Sequence, residues 1–221
     1  MIEIAIDGTA ASGKGTLGRN LSAKYGFPHL DTGLMFRAVA FDLLLQKNIK
    51  MKNLESLSCE IAKDLDLIKI ESQELRSEET GSMASKIAKF FKLREILKTK
   101  QIKFANINKH KYGGCILDGR DVGTVILPNA DFKFFITASI EVRAKRRLLE
   151  KNISCLQDTD VECMLQSLIK DISLRDKSDK SRLLSPLLPA KDAHIIDTSL
   201  IDANDLMSIV TKIIEGKNIK I

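Results

Sequence analysis

Gly8-Thr9-Ala10-Ala11-Ser12-Gly13-Lys14-Gly15-Thr16 follows the short apolar run Ile2-Glu3-Ile4-Ala5-Ile6-Asp7 and opens a helical pattern. A strand, a glycine-rich turn and a helix in that order make a phosphate-binding P-loop. Glycines let backbone N–H groups curl around phosphate oxygens, and the next helix turns its positive dipole end to the same anion. All nine residues, Gly8 to Thr16, then belong to the phosphate site. Lys14 reaches the β- and γ-phosphates, and the Thr16 hydroxyl lies within reach of Mg²⁺.

Outward from this loop, apolar runs of four to six residues alternate with longer helical patterns, the signature of βαβ units and a parallel sheet. Five strands are expected: Glu3 to Asp7, Phe27 to Asp31, Gly114 to Asp118, Lys133 to Thr137 and His194 to Asp197. The fold class is α/β, a five-stranded parallel sheet with helices on both faces. Helices are expected from the P-loop to Tyr25, over Gly33 to Gln46, Ile140 to Lys151, Asp160 to about Lys177 and Ala203 to Glu215. Between Lys47 and Gly113 the chain is too long for a simple crossover and must carry structure of its own. Leu65 to Ile70 alternates like a half-buried strand, and Met83 to Lys111 reads as two helical segments meeting near Phe90-Phe91. Residues 1–31 and 114–221 thus read as a core with a lid at about 140–160. Residues 32–113 read as an acceptor-binding region with an inserted small α+β subdomain. The polar, then proline-containing stretch Asp176 to Lys191 reads as a loop, and residues 175–191 as an arginine loop.

Composition narrows the partners. The chain has 221 residues, 44% hydrophobic and 29% charged, with a net charge of +6 that suits a cleft for phosphorylated small molecules. Aromatics are 5% with no Trp, and no basic run is interleaved with stacking platforms, which argues against nucleic acid. Cys59, Cys115, Cys155 and Cys163 form no C-x-x-C pair, and His29, His110 and His194 are scattered, so neither zinc nor a disulfide framework is supported. The first strand begins at residue 2, leaving no room for a signal peptide, and no apolar stretch approaches eighteen residues. A cytoplasmic protein with no membrane partner is expected.

Asp31, Asp118 and Asp197 each end an expected strand, the edge at which open parallel sheets bind ligands. Asp118 ends the apolar run Cys115-Ile116-Leu117 and suits Mg²⁺ opposite a P-loop, so Thr16 and Asp118 are the candidate metal residues. In Asp118-Gly119-Arg120-Asp121, Arg120 can clamp a phosphate and Asp121 can accept from an exocyclic amine. Arg37 falls one helical turn beyond Gly33 and can reach back to an anion. Arg143, Arg146 and Arg147 share one helix at i, i+3 and i+4, spacing that equally describes a solvated basic face. A second cluster runs from Arg175-Asp176 through Asp179 to Arg182.

Together these residues resemble the bacterial cytidylate kinases, from the first strand to about Ser199. The P-loop is similar to that family's G-x-x-x-x-G-K-G-T. Leu30-Asp31-Thr32-Gly33-Leu34-Met35-Phe36-Arg37 resembles its L-D-[ST]-G-x-x-[YF]-R segment, and Leu117 to Thr124 its D-G-R-D-x-G-T. Adenylate kinases carry D-G-[FY]-P-R at the latter place. Met83-Ala84-Ser85-Lys86 and Leu93-Arg94-Glu95 resemble the inserted domain that recognises cytosine. Arg143 to Arg147 looks like the short lid, and Arg175-Asp176-x-x-Asp179-x-x-Arg182 is similar to the family's R-D-x-x-D-x-x-R.

The resemblance implies transfer of the γ-phosphoryl group of ATP, with Mg²⁺, to CMP or dCMP in pyrimidine nucleotide metabolism. Ser85, Arg94 and Asp121 would read the base, Arg175 and Asp179 the sugar, and Arg37, Arg120 and Arg182 the phosphate, with Thr32 beside the nucleotide. Lys14, Arg120, Arg143, Arg147 and Arg175 are the expected catalytic set, and a monomer is expected. Thr9 departs from the commoner proline without removing a phosphate-facing donor, Phe36 from tyrosine with loss of any hydrogen bond from that hydroxyl, and Thr32 from serine with an extra methyl that crowds the nucleotide but keeps the hydroxyl. A kinase for AMP, UMP or a sugar acid on the same core is the nearest rival. A guanine-nucleotide switch would carry Asn-Lys-x-Asp, whereas Asn108-Lys109-His110-Lys111 lacks the aspartate.

Overall fold

A computed structural model describes residues 1–46, 51–67, 73–150 and 158–217. Its centre is a parallel sheet of β1 (Ile2–Gly8), β2 (His29–Asp31), β3 (Gly114–Gly119), β4 (Phe132–Thr137) and β5 (His194–Asp197), in the order β2-β3-β1-β4-β5. The apolar runs dictate this: strands buried on both faces read as continuous hydrophobic stretches, and successive side chains turn to opposite faces. Ile2, Ile4 and Ile6 of β1 join Ile116, Phe132, Phe134 and Ile136 in one core, while Ala5, Cys115 and Leu117 face another.

The first core is closed by α1 (Lys14–Tyr25) and α8 (Ala203–Gly216), which contribute Leu17, Leu21, Leu206, Val210 and Ile214. On the other face, α2 (Thr32–Leu45), α3 (Leu54–Asp64), α4 (Glu78–Ile87) and α5 (Phe91–Tyr112) share one continuous core, from Met35 and Leu43 to Leu93 and Leu97. Beyond the sheet, α6 (Ile140–Leu149) packs on α7 (Asp158–Lys180) through Ala144, Leu168 and Ile172. No helix among the described residues is long and apolar enough to cross a membrane.

Several helix starts carry side-chain caps that satisfy otherwise orphaned N–H groups. Asp31 accepts from Gly33 and Leu34, Ser77 from Thr80, Ser139 from Val142, and Asp202 from Asn204 and Asp205. The expected break near Phe90-Phe91 is the joint between α4 and α5.

Three sequence expectations change. The second strand is shorter than Phe27 to Asp31, because Phe27 turns its ring onto Gly114 and Pro28 offers only its carbonyl, to Ile116 N at 2.9 Å. Of the strand expected over Leu65 to Ile70, Leu65 to Leu67 are not strand, and residues 68–70 lie outside the described residues. Leu65 and Leu67 pack on the α2–α5 core, and the Leu65 carbonyl accepts from Lys100. The arginine segment is not a loop throughout: α7 runs on to Lys180, so Arg175, Asp176 and Asp179 are helical. Cys155 and residues 151–157 of the expected lid lie outside the described residues.

Candidate active site

The P-loop joins β1 to α1 at the carboxyl edge of the sheet. It can turn there because Gly8, at φ +154°, lies so close to β4 that a Cβ would come within 2.0 Å of the Ile136 carbonyl oxygen. The loop is held through its carbonyls, once from within and twice from outside. Ser12 Oγ donates to Thr9 O at 2.9 Å, Thr198 Oγ1 to Ser12 O at 3.1 Å, and Arg143 Nη1 to Ala10 O at 3.3 Å. Ala10 through Thr16 line a cleft, with Lys14 half-buried among them. Burial, then the nearby Arg120 guanidinium, push the Lys14 ammonium down to about 8, against the pull of Asp118 and Asp31.

Opposite Lys14 stand the carboxylates that end β2 and β3. Asp31 and Asp118 are register partners, and Asp118 is 1% exposed. Burial and the charge of Asp118 raise the Asp31 pKa above the ordinary carboxylate range. Asp118 Oδ2 meets His29 Nε2 at 2.7 Å, and Thr32 Oγ1 donates to the Asp118 carbonyl at 2.9 Å. The His29 ring lies against α1, where a Cβ on Gly18 would come within 2.4 Å of Nε2. The two mutually repelling carboxylates and the Thr16 hydroxyl line the same cleft, and such hard oxygen donors fit a Mg²⁺ ion. Thr16 Oγ1 accepts from Arg19 at 3.1 Å.

On the acceptor side, Arg94 Nη2 pairs with Asp121 Oδ2 at 2.5 Å, and the Arg94 guanidinium lies 5.5 Å from the Phe36 ring centre. Ser85 lines the cleft as well. Asp179, 1% exposed, accepts from Arg120 Nε at 2.9 Å through one oxygen and from Arg182 through the other. Burial would raise its pKa, but Arg120, Arg182 and Arg175 hold it below the ordinary range. Burial and the charge of Arg120 lower Arg175, and burial also lowers Arg182. Buried Nε groups of both have no hydrogen-bond partner among the described residues. Burial, then Arg147, depress Arg37 to about 10, and its Nη1 donates to Leu75 O at 2.8 Å and Ser77 O at 3.2 Å. Cations forced together at a cost to one another, with donors left over, form a site for phosphates.

Sequence reasoning therefore finds most of the cleft: Lys14, Thr32, Arg37, Ser85, Arg94, Asp118, Arg120, Asp121, Arg147, Arg175, Asp179 and Arg182 all line it. Gly8 and Thr9 do not; Thr9 is buried, its hydroxyl without a partner among the described residues. Arg143 does not either. It is 4% exposed, and its guanidinium meets Ala138 O at 2.9 Å, Ala10 O at 3.3 Å and Asp176 Oδ2 at 2.6 Å, touching the cleft wall only through the Ala10 carbonyl. Missed were Arg19, Arg76 and Glu150 in the lining, and His29 behind Asp118. Strand parity carries its signal, since His29 and Asp31 share one face of β2 and lie beside Asp118 in the neighbouring strand.

A family model described as cytidylate kinase matches residues 4–216. A cytidylate kinase of Xanthobacter autotrophicus is 42% identical over 214 residues, covering 97% of this chain and 97% of that protein. One of Brucella suis biovar 1 is 44% identical over 196 residues, 89% of this chain and 84% of that one. Among solved structures, the Thermus thermophilus protein TT1252 aligns over 99% of this chain and 98% of its own with a TM-score of 0.51 at 13% identity. An uncharacterized protein from Eubacterium ventriosum aligns over 97% of this chain and 99% of its own, with a TM-score of 0.50 at 14% identity. These structural likenesses bear on the fold alone.

Proposed function

The chain belongs to the cytidylate kinase family, and on that premise we propose that this cleft moves the γ-phosphoryl group of ATP onto CMP or dCMP, giving ADP and the nucleoside diphosphate. The observation that carries the reading is the buried Arg94–Asp121 pair at the acceptor end of a cleft whose other end is the P-loop. Cytosine presents an exocyclic amine and a ring-nitrogen acceptor. Asp121 accepts from the amine, and Arg94, seated on the Phe36 ring, donates to the nitrogen. Ser85 stands at the same edge.

Phosphoryl transfer of this kind needs position and charge neutralisation more than a side-chain nucleophile, because the acceptor phosphate itself attacks. The P-loop N–H groups and Lys14 hold the donor phosphates. Arg37, Arg120 and Arg182 orient the acceptor phosphate, Arg175 and Asp179 hold the sugar, and Arg147 faces the transferring group from α6. Thr32 fixes the end of β3 through the Asp118 carbonyl. Thr16 and Asp118 would hold Mg²⁺, which when bound neutralises charge between the β- and γ-phosphates. His29 keeps the Asp118 carboxylate in place.

Residues 1–31 and 114–221 serve as the core and 32–113 as the acceptor-binding region, closing over the nucleotides to exclude water. One chain supplies both ends of the cleft, which supports a monomer as the working unit. An ADP-release assay with ATP and Mg²⁺ against CMP, dCMP, UMP, AMP and a sugar acid tests the reading. Turnover is expected with CMP and dCMP and lost with a chelator; turnover led by another acceptor contradicts it.

A further inference from the structure

Arg143 spans three elements from a position off the cleft lining. Its Nε holds the Ala138 carbonyl at the joint of β4 and α6, its Nη1 the Ala10 carbonyl of the P-loop, and its Nη2 the Asp176 carboxylate on α7. Asp176 adjoins Arg175 and lies one helical turn before Asp179, the residue on which Arg120 and Arg182 converge. We infer that Arg143 is a positioning residue that couples occupancy of the P-loop to the acceptor-binding arginines of α7, so that ATP and CMP tighten each other's binding. The inference rests on the reading of the cleft given above.

The coupling has a physical route. The Ala10 carbonyl and the Ala11 N–H belong to one peptide group. A phosphate that draws on that N–H polarises the carbonyl behind it and strengthens the bond it accepts from Arg143, which at 3.3 Å is the longest of the three. Asp176 has its second oxygen buried and without a partner among the described residues, so Arg143 is the one side chain that holds its carboxylate there.

Arg146 provides an internal comparison. It reaches the P-loop in the same manner, at Ser12 O, but its other partners are Thr198 and Ile201 rather than α7.

Calorimetric titration of CMP, with and without a non-hydrolysable ATP analogue, tests the inference. The wild type is expected to bind CMP about tenfold more tightly when the analogue is present, within the range usual for coupled sites. In Arg143→Lys the ratio should fall close to one. Asp176→Asn keeps an oxygen acceptor but removes the carboxylate that offsets the buried guanidinium, which weakens the link from the other side, and it should lower the ratio too. Arg146→Lys should weaken the analogue's binding and keep the ratio. An unchanged ratio in folded Arg143→Lys and Asp176→Asn overturns the inference, as does loss of the ratio in Arg146→Lys to the same extent. A wild-type ratio of one overturns it while CMP remains the acceptor, whereas a wild type that binds no CMP overturns the reading of the site itself.

Discussion

At the scale of single residues, the cleft places charges where their ordinary protonation is disturbed, and those disturbances can be measured. Lys14 is pushed down to about 8 by burial and Arg120. Phosphates bind its protonated form, so affinity for an ATP analogue is full below that value and falls as pH rises past it, by about tenfold between pH 7 and 9. Lys14→Ala should lose this dependence together with nearly all phosphoryl transfer while unfolding at much the same temperature. A flat wild-type profile, or a folded variant within tenfold of wild-type turnover, removes Lys14 from the mechanism. Asp7 works for the fold instead. It accepts from Val122 N and Gly123 N at 2.8 and 2.7 Å, and burial raises it to about 6. A carboxyl whose folded pKa lies above its unfolded one stabilises the fold on the acid side and loses that contribution as pH rises through the folded value. The stability advantage of wild type over Asp7→Asn should therefore shrink by on the order of 1 to 3 kcal/mol between pH 4 and 7. Denaturant titrations at both pH values show it, and an advantage that grows with pH contradicts the assignment.

Elements were legible where a pattern repeats and obscure where two patterns meet. Ile2, Ile4 and Ile6 announce a buried strand, and the glycine-rich turn after them announces the helix. The end of α7 was hidden because Lys177-Ser178-Asp179-Lys180 is polar in the manner of a loop, while the first strong breaker, Pro186, comes six residues later. On α6 the i, i+3, i+4 spacing puts three arginines on one side without saying what each long side chain reaches. Arg143 and Arg146 take backbone carbonyls, and Arg147 alone of the three faces the cleft. His29 escaped notice because parity puts it on the face of Asp31 but does not say that β3 and α1 bring Asp118 and Gly18 against its ring. The contact of α1 on β2 gives a test. Gly18→Ala would drive a methyl into the His29 ring and displace it from Asp118, at a cost of about 1 to 3 kcal/mol. Melting temperature and transfer rate should fall together. A variant with the wild-type melting temperature and full activity contradicts the packing.

Across the whole molecule, the sheet presents its carboxyl edge to two kinds of ligand at once. The P-loop after β1, the carboxylates ending β2 and β3, and residues of α2, α4, α5 and α7 line one cleft, whose first part the proposed function gives to the donor phosphates and whose second to the acceptor. On the proposed function, part of the net charge of +6 lies there, in mutually repelling cations that phosphates would neutralise. Metal dependence belongs to this scale, because Thr16 and Asp118 come from different elements. Asp118→Asn should lower transfer and raise the Mg²⁺ concentration needed for half-maximal rate, and an unchanged Mg²⁺ titration contradicts that role. The central claim is that the acceptor end reads cytosine. Uracil puts a carbonyl against Asp121 and an N–H against Arg94, and two unmatched buried polar contacts imply discrimination of about 10² or more in kcat/KM. The most direct test is therefore the ratio of kcat/KM for CMP to that for UMP, in wild type and in Asp121→Ala. The account predicts a ratio of about 10² or more in wild type and a much smaller one in the variant; a wild-type ratio near one, or an Asp121→Ala variant that loses both acceptors equally, contradicts it.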